Sequence, residues 1–242
     1  MKGDALVSAA QRHTWTSPAP GAMLSDPLRV NPACQELFDP AYYGSQAQAV
    51  SVGGRQAAWF VQAQGWQGVL RGYRRGGLIA RLSQKSYLWL GESRTRSFRE
   101  FRLLNALRQQ GLRVPVALGA AYWRHGLTYQ AAILVERIPQ ARPLAQCIGD
   151  DAFVLPVARA IVQMHRAGVW HADLNAFNIL IDGQNQVWLI DFDRGTLSGL
   201  SDAQRQSNLL RLRRSLQKLG GKDGTDFWDR LQQAYQNLWM KV

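Results

Sequence analysis

Alternating apolar and polar positions predict β-strands in the first half of the chain. In AVSVGGRQAAWFVQ (49–62), β-branched and aromatic residues stand on both sides of a glycine pair, which predicts a β-hairpin. GWQGVLRGY (65–73) predicts a third strand, and TYQAAILVERI (128–138) predicts a buried one. Residues 1–30 contain the breakers TSPAPG and SDPLR, so we expect them to form a loosely held tail.

Helical spacing replaces this alternation in three places. RTRSFREFRLLNALRQQG (94–111) has apolar residues three or four positions apart and ends in glycine. DDAFVLPVARAIVQMHRAG (150–168) predicts a second helix, with an aspartate as its cap and a glycine at its end. From about residue 202 the pattern is again helical, with a turn at GGKDG.

The order of these elements predicts an α+β chain of two lobes. We expect an N-terminal tail at 1–30, an N-lobe with an antiparallel sheet and one helix at 31–138, and a mainly helical C-lobe at 139–242. The hinge should lie near 136–143, and clefts between lobes are common ligand sites.

The charge of the chain narrows its partners. Lys plus Arg is 29 against 17 Asp plus Glu, a balance of +12, so the chain should attract nucleic acid, an anionic membrane or phosphorylated substrates. Only five of the 29 are lysine; arginine suits two-pronged binding of phosphate or carboxylate, but its abundance is equally explained by genomic composition. No apolar run has the length of a membrane span, and two cysteines give no disulfide framework, so we expect a cytoplasmic location.

The stretch 170–193, WHADLNAFNILIDGQNQVWLIDFD, carries the chemistry. It contains H-x-D-x-x-x-x-N followed by D-F-x, with His171, Asp173, Asn178 and Asp191 at the defined positions. The turn after the strand NILI should return the chain antiparallel, so that Asp191 emerges beside Asn178 and both can hold one metal cluster. The alternative is a plain buried hairpin whose polar residues cap turns.

The chain resembles the protein-kinase-like superfamily, and within it the bacterial lipopolysaccharide core kinases that act on 3-deoxy-D-manno-octulosonic acid (Kdo). The residues that carry the resemblance are FDPAYYG (38–44), GVLRGYRRGGLIARL (68–82), SFREFRLLNALRQQGLRVPVAL (97–118) and HADLNAFNILID (171–182). The resemblance implies a bilobal protein-kinase-like fold, ATP as co-substrate and Mg²⁺ as cofactor. It assigns the catalytic base to Asp173 and the magnesium ligands to Asn178 and Asp191, with His171 as a structural loop residue.

The resemblance also implies an ion pair in the N-lobe. Glu100 matches the glutamate that pairs with a basic residue on the third strand, where protein kinases carry lysine. Arg71 occupies that place in GVLRGY, and arginine can bridge Glu100 and an ATP phosphate through its two-pronged fork. Lys85 is the alternative, although it follows the RRGG break and lies outside the strand pattern.

Two further segments are expected at ATP. Gly53 and Gly54 lie where the phosphate-covering hairpin should be, since adjacent glycines allow a close backbone approach; a simple tight turn is the alternative. Glu136 and Ile138 lie where the hinge backbone would meet adenine.

The acceptor is expected to be a sugar hydroxyl, not a protein side chain. Ala172 replaces the arginine that pairs with an activation-loop phosphate, no A-P-E follows DFD, and Asp193 replaces the glycine of D-F-G. The resemblance implies Kdo on a lipid A precursor, phosphorylated at O-4, at the cytoplasmic face of the anionic inner membrane. The candidate acceptor or anion-binding residues are Arg74, Arg75, Arg211, Arg214 and Asp193.

Alternatives stay open for these residues and for the acceptor. The arginines can equally be solvated surface residues of an amphipathic helix. Core heptose, a small molecule such as an antibiotic, or protein serine can be the acceptor. A charge-driven nucleic-acid binder is a further hypothesis, although no recognised nucleic-acid motif occurs and we expect no such partner.

Overall fold

The computed structural model describes residues 10–50, 58–73 and 86–241. The chain divides into two units, of which the first comprises Met1–Asn105 with Val116–Arg137 and the second Ala106–Pro115 with Ile138–Val242. The chain passes from the first unit to the second for the last time between Arg137 and Ile138, one residue from the predicted end of the N-lobe at 138.

An antiparallel sheet forms most of the first unit. Its described strands are β1 (Gln11–Trp15), β2 (Gly21–Ser25), β3 (Ala47–Ala49), β4 (Ala58–Ala63), β5 (Trp66–Gly72), β6 (Tyr87–Leu88), β7 (Ala117–His125) and β8 (Thr128–Glu136). They follow the order β1-β2-β7-β8-β5-β4-β3, with β6 also paired to β8. The pairing of β3 with β4 confirms the strands of the predicted hairpin, and β5 and β8 confirm the two further predicted strands.

The prediction of a loosely held tail at 1–30 was wrong for the described residues from 10 onward. β1 and β2 form a hairpin, and β2 lies between β1 and β7 with all five of its residues buried. Met23, which is fully buried, pairs with Ala121 far along the chain. The prolines of TSPAPG stand in the turn between the strands, where they need no ladder hydrogen bond. These breakers therefore mark a turn between two strands of the sheet and do not indicate an unstructured segment.

The helix α1 (Arg96–Gln109) confirms the first predicted helix. Its face with Phe98, Phe101 and Leu104 is buried, as the three- and four-residue spacing predicts. The beginning of α1 packs on β7: the Ser97 hydroxyl donates to the carbonyl of Ala121 at 2.9 Å. This packing fixes the position of Glu100, one turn further along the helix.

The second unit is mainly helical. It contains α2 (Val154–Arg166) and α3 (Asp202–Met240), with the short strands β9 (Arg142–Pro143), β10 (Val169–Trp170), β11 (Ile179–Ile181), β12 (Val187–Leu189) and β13 (Thr196–Leu197). α2 packs against α3, β11 pairs antiparallel with both β12 and β9, and β10 pairs with β13. The hairpin predicted at NILI and VWLI is thereby confirmed.

The ends of the long helices follow the sequence signals. The hydroxyl of Ser201 accepts the Gln204 N–H at 3.2 Å, and the Gln204 side chain accepts the Ser201 N–H at 3.0 Å, a reciprocal cap of α3. Two segments of α3 meet at Gly221, whose φ of 54° interrupts the helix at the predicted GGKDG turn. α2 begins at Val154, later than predicted, because Asp150 caps a short 3-10 turn before it.

The structure confirms the predicted α+β class, a bilobal protein-kinase-like fold with an antiparallel-sheet N-lobe and a mainly helical C-lobe. Across the described residues, no helix combines the length and apolar character needed to span a membrane.

Candidate active site

The loop between β10 and β11 holds Asp173 in the second unit. The side-chain oxygen of Asn175 accepts the N–H groups of Phe177 at 2.8 Å and Asn178 at 3.2 Å, which closes a local turn. The side-chain amides of Asn175 and Asn178 both donate to the backbone carbonyl of Asp173, at 3.1 and 2.9 Å. The loop therefore fixes the backbone of Asp173 through two neighbouring amides.

The β11–β12 hairpin brings Asp191 beside Asn178, as their spacing predicts. Ile179 pairs with Leu189, and the Ile190 N–H extends the ladder by donating to the Asn178 carbonyl at 3.0 Å. Asp191 follows immediately, with a φ of 64°. This left-handed backbone conformation is uncommon outside glycine but tolerated by aspartate, and such conformations concentrate at functional sites.

The donor atoms at this hairpin fit a magnesium ion. The Nδ2 group of the buried Asn178 is directed to the Asp173 carbonyl, which leaves its Oδ1 as the atom available to a cation. Within the described residues, no three His, Cys, Asp or Glu side chains form a complete metal cage. One carboxylate and one amide oxygen, completed by phosphate oxygens, are what magnesium takes at nucleotide sites.

The carboxylate of Asp173 reaches an open cavity. Its side chain is 54% exposed, and its Oδ1 lies 3.0 Å from Nη1 of Arg211 on α3, which is 48% exposed. The cavity has a volume of about 400 Å³ and is lined by Asp173, Asn175, Phe177, Arg211, Arg214, Ser215, Lys218 and Leu219. The Ser215 hydroxyl also accepts the N–H of Ala176 at 3.1 Å, which ties this wall of α3 to the loop.

His171 anchors the loop from inside the unit. Its Nε2 lies 2.9 Å from the carbonyl of Ile190, and its Nδ1 lies 3.2 Å from the N–H of Asp173. Since a carbonyl only accepts, Nε2 carries the proton and Nδ1 accepts. Burial lowers the pKa of His171, against the raising effect of the Ile190 carbonyl, so the ring stays neutral at neutral pH. Through these two hydrogen bonds, His171 links the backbone of Asp173 to that of Ile190.

The sequence gives no assignment for Asn208, which the structure places at the centre of a buried network. Its Nδ2 donates to the His171 carbonyl at 2.6 Å, and its Oδ1 accepts the His171 N–H at 3.1 Å. The same oxygen lies 3.3 Å from Nε2 of His165 on α2, whose Nδ1 lies 2.9 Å from the Tyr235 hydroxyl. The available sequence signal was a lone asparagine at the start of the leucine-rich stretch NLLRL (208–212).

In the first unit, the structure brings Arg71 and Glu100 together. Nη2 of Arg71 lies 2.8 and 2.7 Å from the two oxygens of Glu100, whose side chain is only 3% exposed. The Tyr73 hydroxyl also donates to Glu100, and the Arg71 guanidinium lies 5.3 Å from the centre of the Tyr73 ring. Arg71 therefore presents a fixed cation at 25% exposure.

The remaining predicted residues are distributed differently. Gly53, Gly54, Arg74, Arg75 and the alternative Lys85 lie outside the described residues. The Glu136 N–H donates to the Val116 carbonyl at 2.8 Å, and its side chain pairs with Arg29 at 3.2 Å. Ile138 is partly exposed and is the first residue of the longer of the two segments that make up the second unit. Arg214 lines the cavity beside Asp173, whereas Asp193 does not.

Comparisons with known proteins agree with the motifs. The lipopolysaccharide kinase (Kdo/WaaP) family matches residues 41–235. The chain is 49% identical over 226 residues to a 3-deoxy-D-manno-octulosonic acid kinase of Stenotrophomonas maltophilia strain R551-3, covering 90% of this chain and 91% of that protein. Proteins of the same name from Xylella fastidiosa strain 9a5c and Xanthomonas campestris pv. campestris strain B100 are 46% identical over 228 residues and 48% over 226. These alignments cover 91% and 90% of this chain and 92% and 91% of the two relatives.

Proposed function

The chain belongs to the lipopolysaccharide kinase (Kdo/WaaP) family, and from that membership we propose that it transfers the terminal phosphoryl group of ATP to the 4-hydroxyl of Kdo on a lipid A precursor. The observation that carries the proposal is the 49% identity to a Kdo kinase across 90% of the chain. The exposed Asp173, with Asn178 and Asp191 adjacent on one hairpin, supports a phosphotransferase site within that chain.

Asp173 acts as the base in this proposal. Its carboxylate accepts the proton of the acceptor hydroxyl as the hydroxyl oxygen bonds to the terminal phosphorus, and the bond to ADP breaks. The two amides on the Asp173 carbonyl hold the loop while this occurs. Asn178 and Asp191 would hold magnesium, which neutralises part of the phosphate charge when bound.

Arg71 is the proposed contact to the ATP phosphates. Glu100 and Tyr73 fix it on β5, so the guanidinium needs no reordering when a phosphate arrives. The backbone of Ile138 is proposed to meet adenine together with the Glu136 carbonyl, because the Glu136 N–H is already donated to Val116. Gly53 and Gly54 remain the proposed phosphate-covering turn.

The proposed place of action is the cytoplasmic face of the inner membrane. ATP is available there, and the acceptor is a membrane-held, phosphate-bearing lipid that suits a chain with a charge balance of +12. Nucleic acid is not proposed as a partner.

The test is mass spectrometry of the glycolipid after incubation with the purified protein, ATP and magnesium. We expect one added phosphoryl group, located at O-4 by fragmentation. Asp173→Asn should lower the rate by roughly 10²- to 10⁴-fold, the usual contribution of a general base. The matched control is Asp229→Asn, which removes an exposed carboxylate on α3. Transfer to heptose or protein but never to Kdo would replace the proposed acceptor.

A further inference from the structure

The contact between Arg211 and Asp173 joins a solvent-exposed cation to the proposed base. Arg211 Nη1 lies 3.0 Å from Asp173 Oδ1, and the two side chains are 48% and 54% exposed. Ion pairs at such exposure are weak, because water solvates both charges well when they separate. An anionic group that enters the cavity can therefore replace Asp173 as the partner of Arg211.

The cavity wall around this pair is positive. Arg214 and Lys218 follow Arg211 by three and seven residues on α3, so all three cations face the same side of the helix. Asp173 is the only acidic side chain that lines the cavity among the described residues. Phe177 and Leu219, 47% and 43% exposed, add apolar surface. A cavity with this lining suits an acidic sugar better than a neutral one.

The chemistry of the proposed acceptor matches this lining. In the Kdo ring, a single CH₂ group separates the carbon that bears the carboxylate from the carbon that bears the 4-hydroxyl. An acceptor that places this hydroxyl at Asp173 therefore brings its carboxylate close to the same carboxyl group. Arg211 is the cavity cation in direct contact with Asp173, so it is the cation best placed to receive that carboxylate.

Resting on the proposed function, we propose that Arg211 recognises the acceptor carboxylate and, by moving to it, releases Asp173 to serve as the base. Recognition and activation are then the same event. An acceptor without the carboxylate leaves Arg211 on Asp173 and is phosphorylated slowly. Arg214 and Lys218 bind the remaining negative charge of the glycolipid.

The test compares two acceptors, the Kdo-bearing lipid A precursor and its analogue with the Kdo carboxylate converted to carboxamide. The wild-type protein should prefer the carboxylate in kcat/KM by roughly 10- to 100-fold, the value of a hydrogen-bonded charge pair. Arg211→Gln should lower kcat/KM for the natural acceptor by a similar factor, whereas the carboxamide should react at least as fast as with the wild-type protein, because Arg211 no longer occupies Asp173. Arg213→Gln, an exposed residue on the same helix that does not line the cavity, is the matched control and should keep the full preference.

Each other result overturns one proposal. If the wild-type protein shows no preference, or Arg211→Gln keeps it, the carboxylate is recognised elsewhere and this inference is wrong. If neither acceptor is phosphorylated by the wild-type protein, the proposed function itself fails. Should Arg211→Gln not fold, Arg211→Lys retains the charge without the two-pronged geometry, and its preference should fall between those of the wild type and no preference.

Discussion

At the residue scale, Asp191 can be tested without disturbing the hairpin. Asp191→Asn keeps the shape of the side chain, and asparagine also tolerates the φ of 64°. We expect the magnesium concentration for half-maximal rate to rise at least about tenfold, because even residues that only support a metal ligand contribute 10- to 100-fold. The measurement is the phosphorylation rate over a magnesium titration.

Two comparisons make the Asp191 result specific. Asp229→Asn, with the same chemical change on an exposed part of α3, should leave the magnesium titration unchanged. An Asp191→Asn protein with wild-type magnesium dependence would show that Asp191 is not a ligand, whatever happens to its maximal rate.

Variants of the Arg71–Glu100 pair can distinguish a structural role of Arg71 from a role in ATP binding. Arg71→Met removes the guanidinium group that contacts both oxygens of the 3% exposed Glu100, and we expect the free energy of unfolding to fall by about 1–3 kcal/mol. In the double variant Arg71→Met/Glu100→Gln, the neutral amide can still bond to Tyr73, so most stability should return. ATP affinity, measured by calorimetry, should stay low in both variants.

Arg12 and Glu92 provide the matched control for this pair. Nε and Nη2 of Arg12 donate to the two oxygens of Glu92 at 2.9 and 2.7 Å, but the Arg12 side chain is 50% exposed. Arg12→Met should therefore lower the free energy of unfolding by less than about 1 kcal/mol. ATP affinity that returns in the Arg71→Met/Glu100→Gln variant would contradict a phosphate contact by Arg71.

At the scale of elements, the His165–Asn208–His171 network joins α2, α3 and the loop between β10 and β11, and it makes the free energy of unfolding depend on pH. Burial lowers the pKa of His165 to about 4, against the opposing hydrogen bond to Asn208 and with help from the charge of Arg205. An unfolded histidine titrates near 6.5, so below that pH the unfolded chain binds more protons than the folded one. The contribution of His165 to the free energy of unfolding is fully present above pH 6.5 and is lost as the pH falls towards 4.

We expect the free energy of unfolding to fall by about 2–3 kcal/mol between pH 7.5 and 4.5 through His165 alone. The lowered pKa of the buried His171 adds to the loss in the same direction. Urea unfolding at the two pH values should show a smaller drop for His165→Gln than for the wild type. His125→Gln, an exposed control, should retain the wild-type drop; equal drops in all three proteins would contradict the role of His165.

The same elements show which parts of the structure local sequence patterns can predict. α1 and the β11–β12 hairpin were predictable, because their periodicity and turn residues lie within one short segment. β2 was not, since it is stabilised by pairing with β7, which is distant in sequence. Asn208 was missed for the same reason: its partners are His171 and His165, on two other segments.

At the scale of the whole molecule, the fold class was predictable from the order of elements together with one motif. The H-x-D-x-x-x-x-N pattern placed Asp173 on a loop that the structure contains, and Asn178 lies immediately before the strand β11. The contact of Arg211 with Asp173 was not predictable in this way, because nothing local in either segment specifies which helix face meets the loop. The pair Arg71–Glu100 was predictable because a family motif specifies it, whereas a distant charge pair that no motif specifies was not.

The charge balance of +12 gives a last prediction about the complete chain. If the acceptor is presented by an anionic membrane, the protein should sediment with vesicles that contain acidic lipid and not with neutral ones, since each basic residue near an anionic surface contributes about 1 kcal/mol. Binding to the acidic vesicles should weaken as the salt concentration rises from about 50 to about 500 mM. Over this range the Debye screening length falls from above to below about 8 Å, so the attraction between the basic residues and the lipid weakens. Equal sedimentation with neutral vesicles would contradict an electrostatic contact. Tighter, salt-sensitive binding to RNA or DNA than to acidic vesicles, without phosphorylation of the glycolipid, would instead favour a nucleic-acid partner, because phosphate neutralisation alone accounts for such binding.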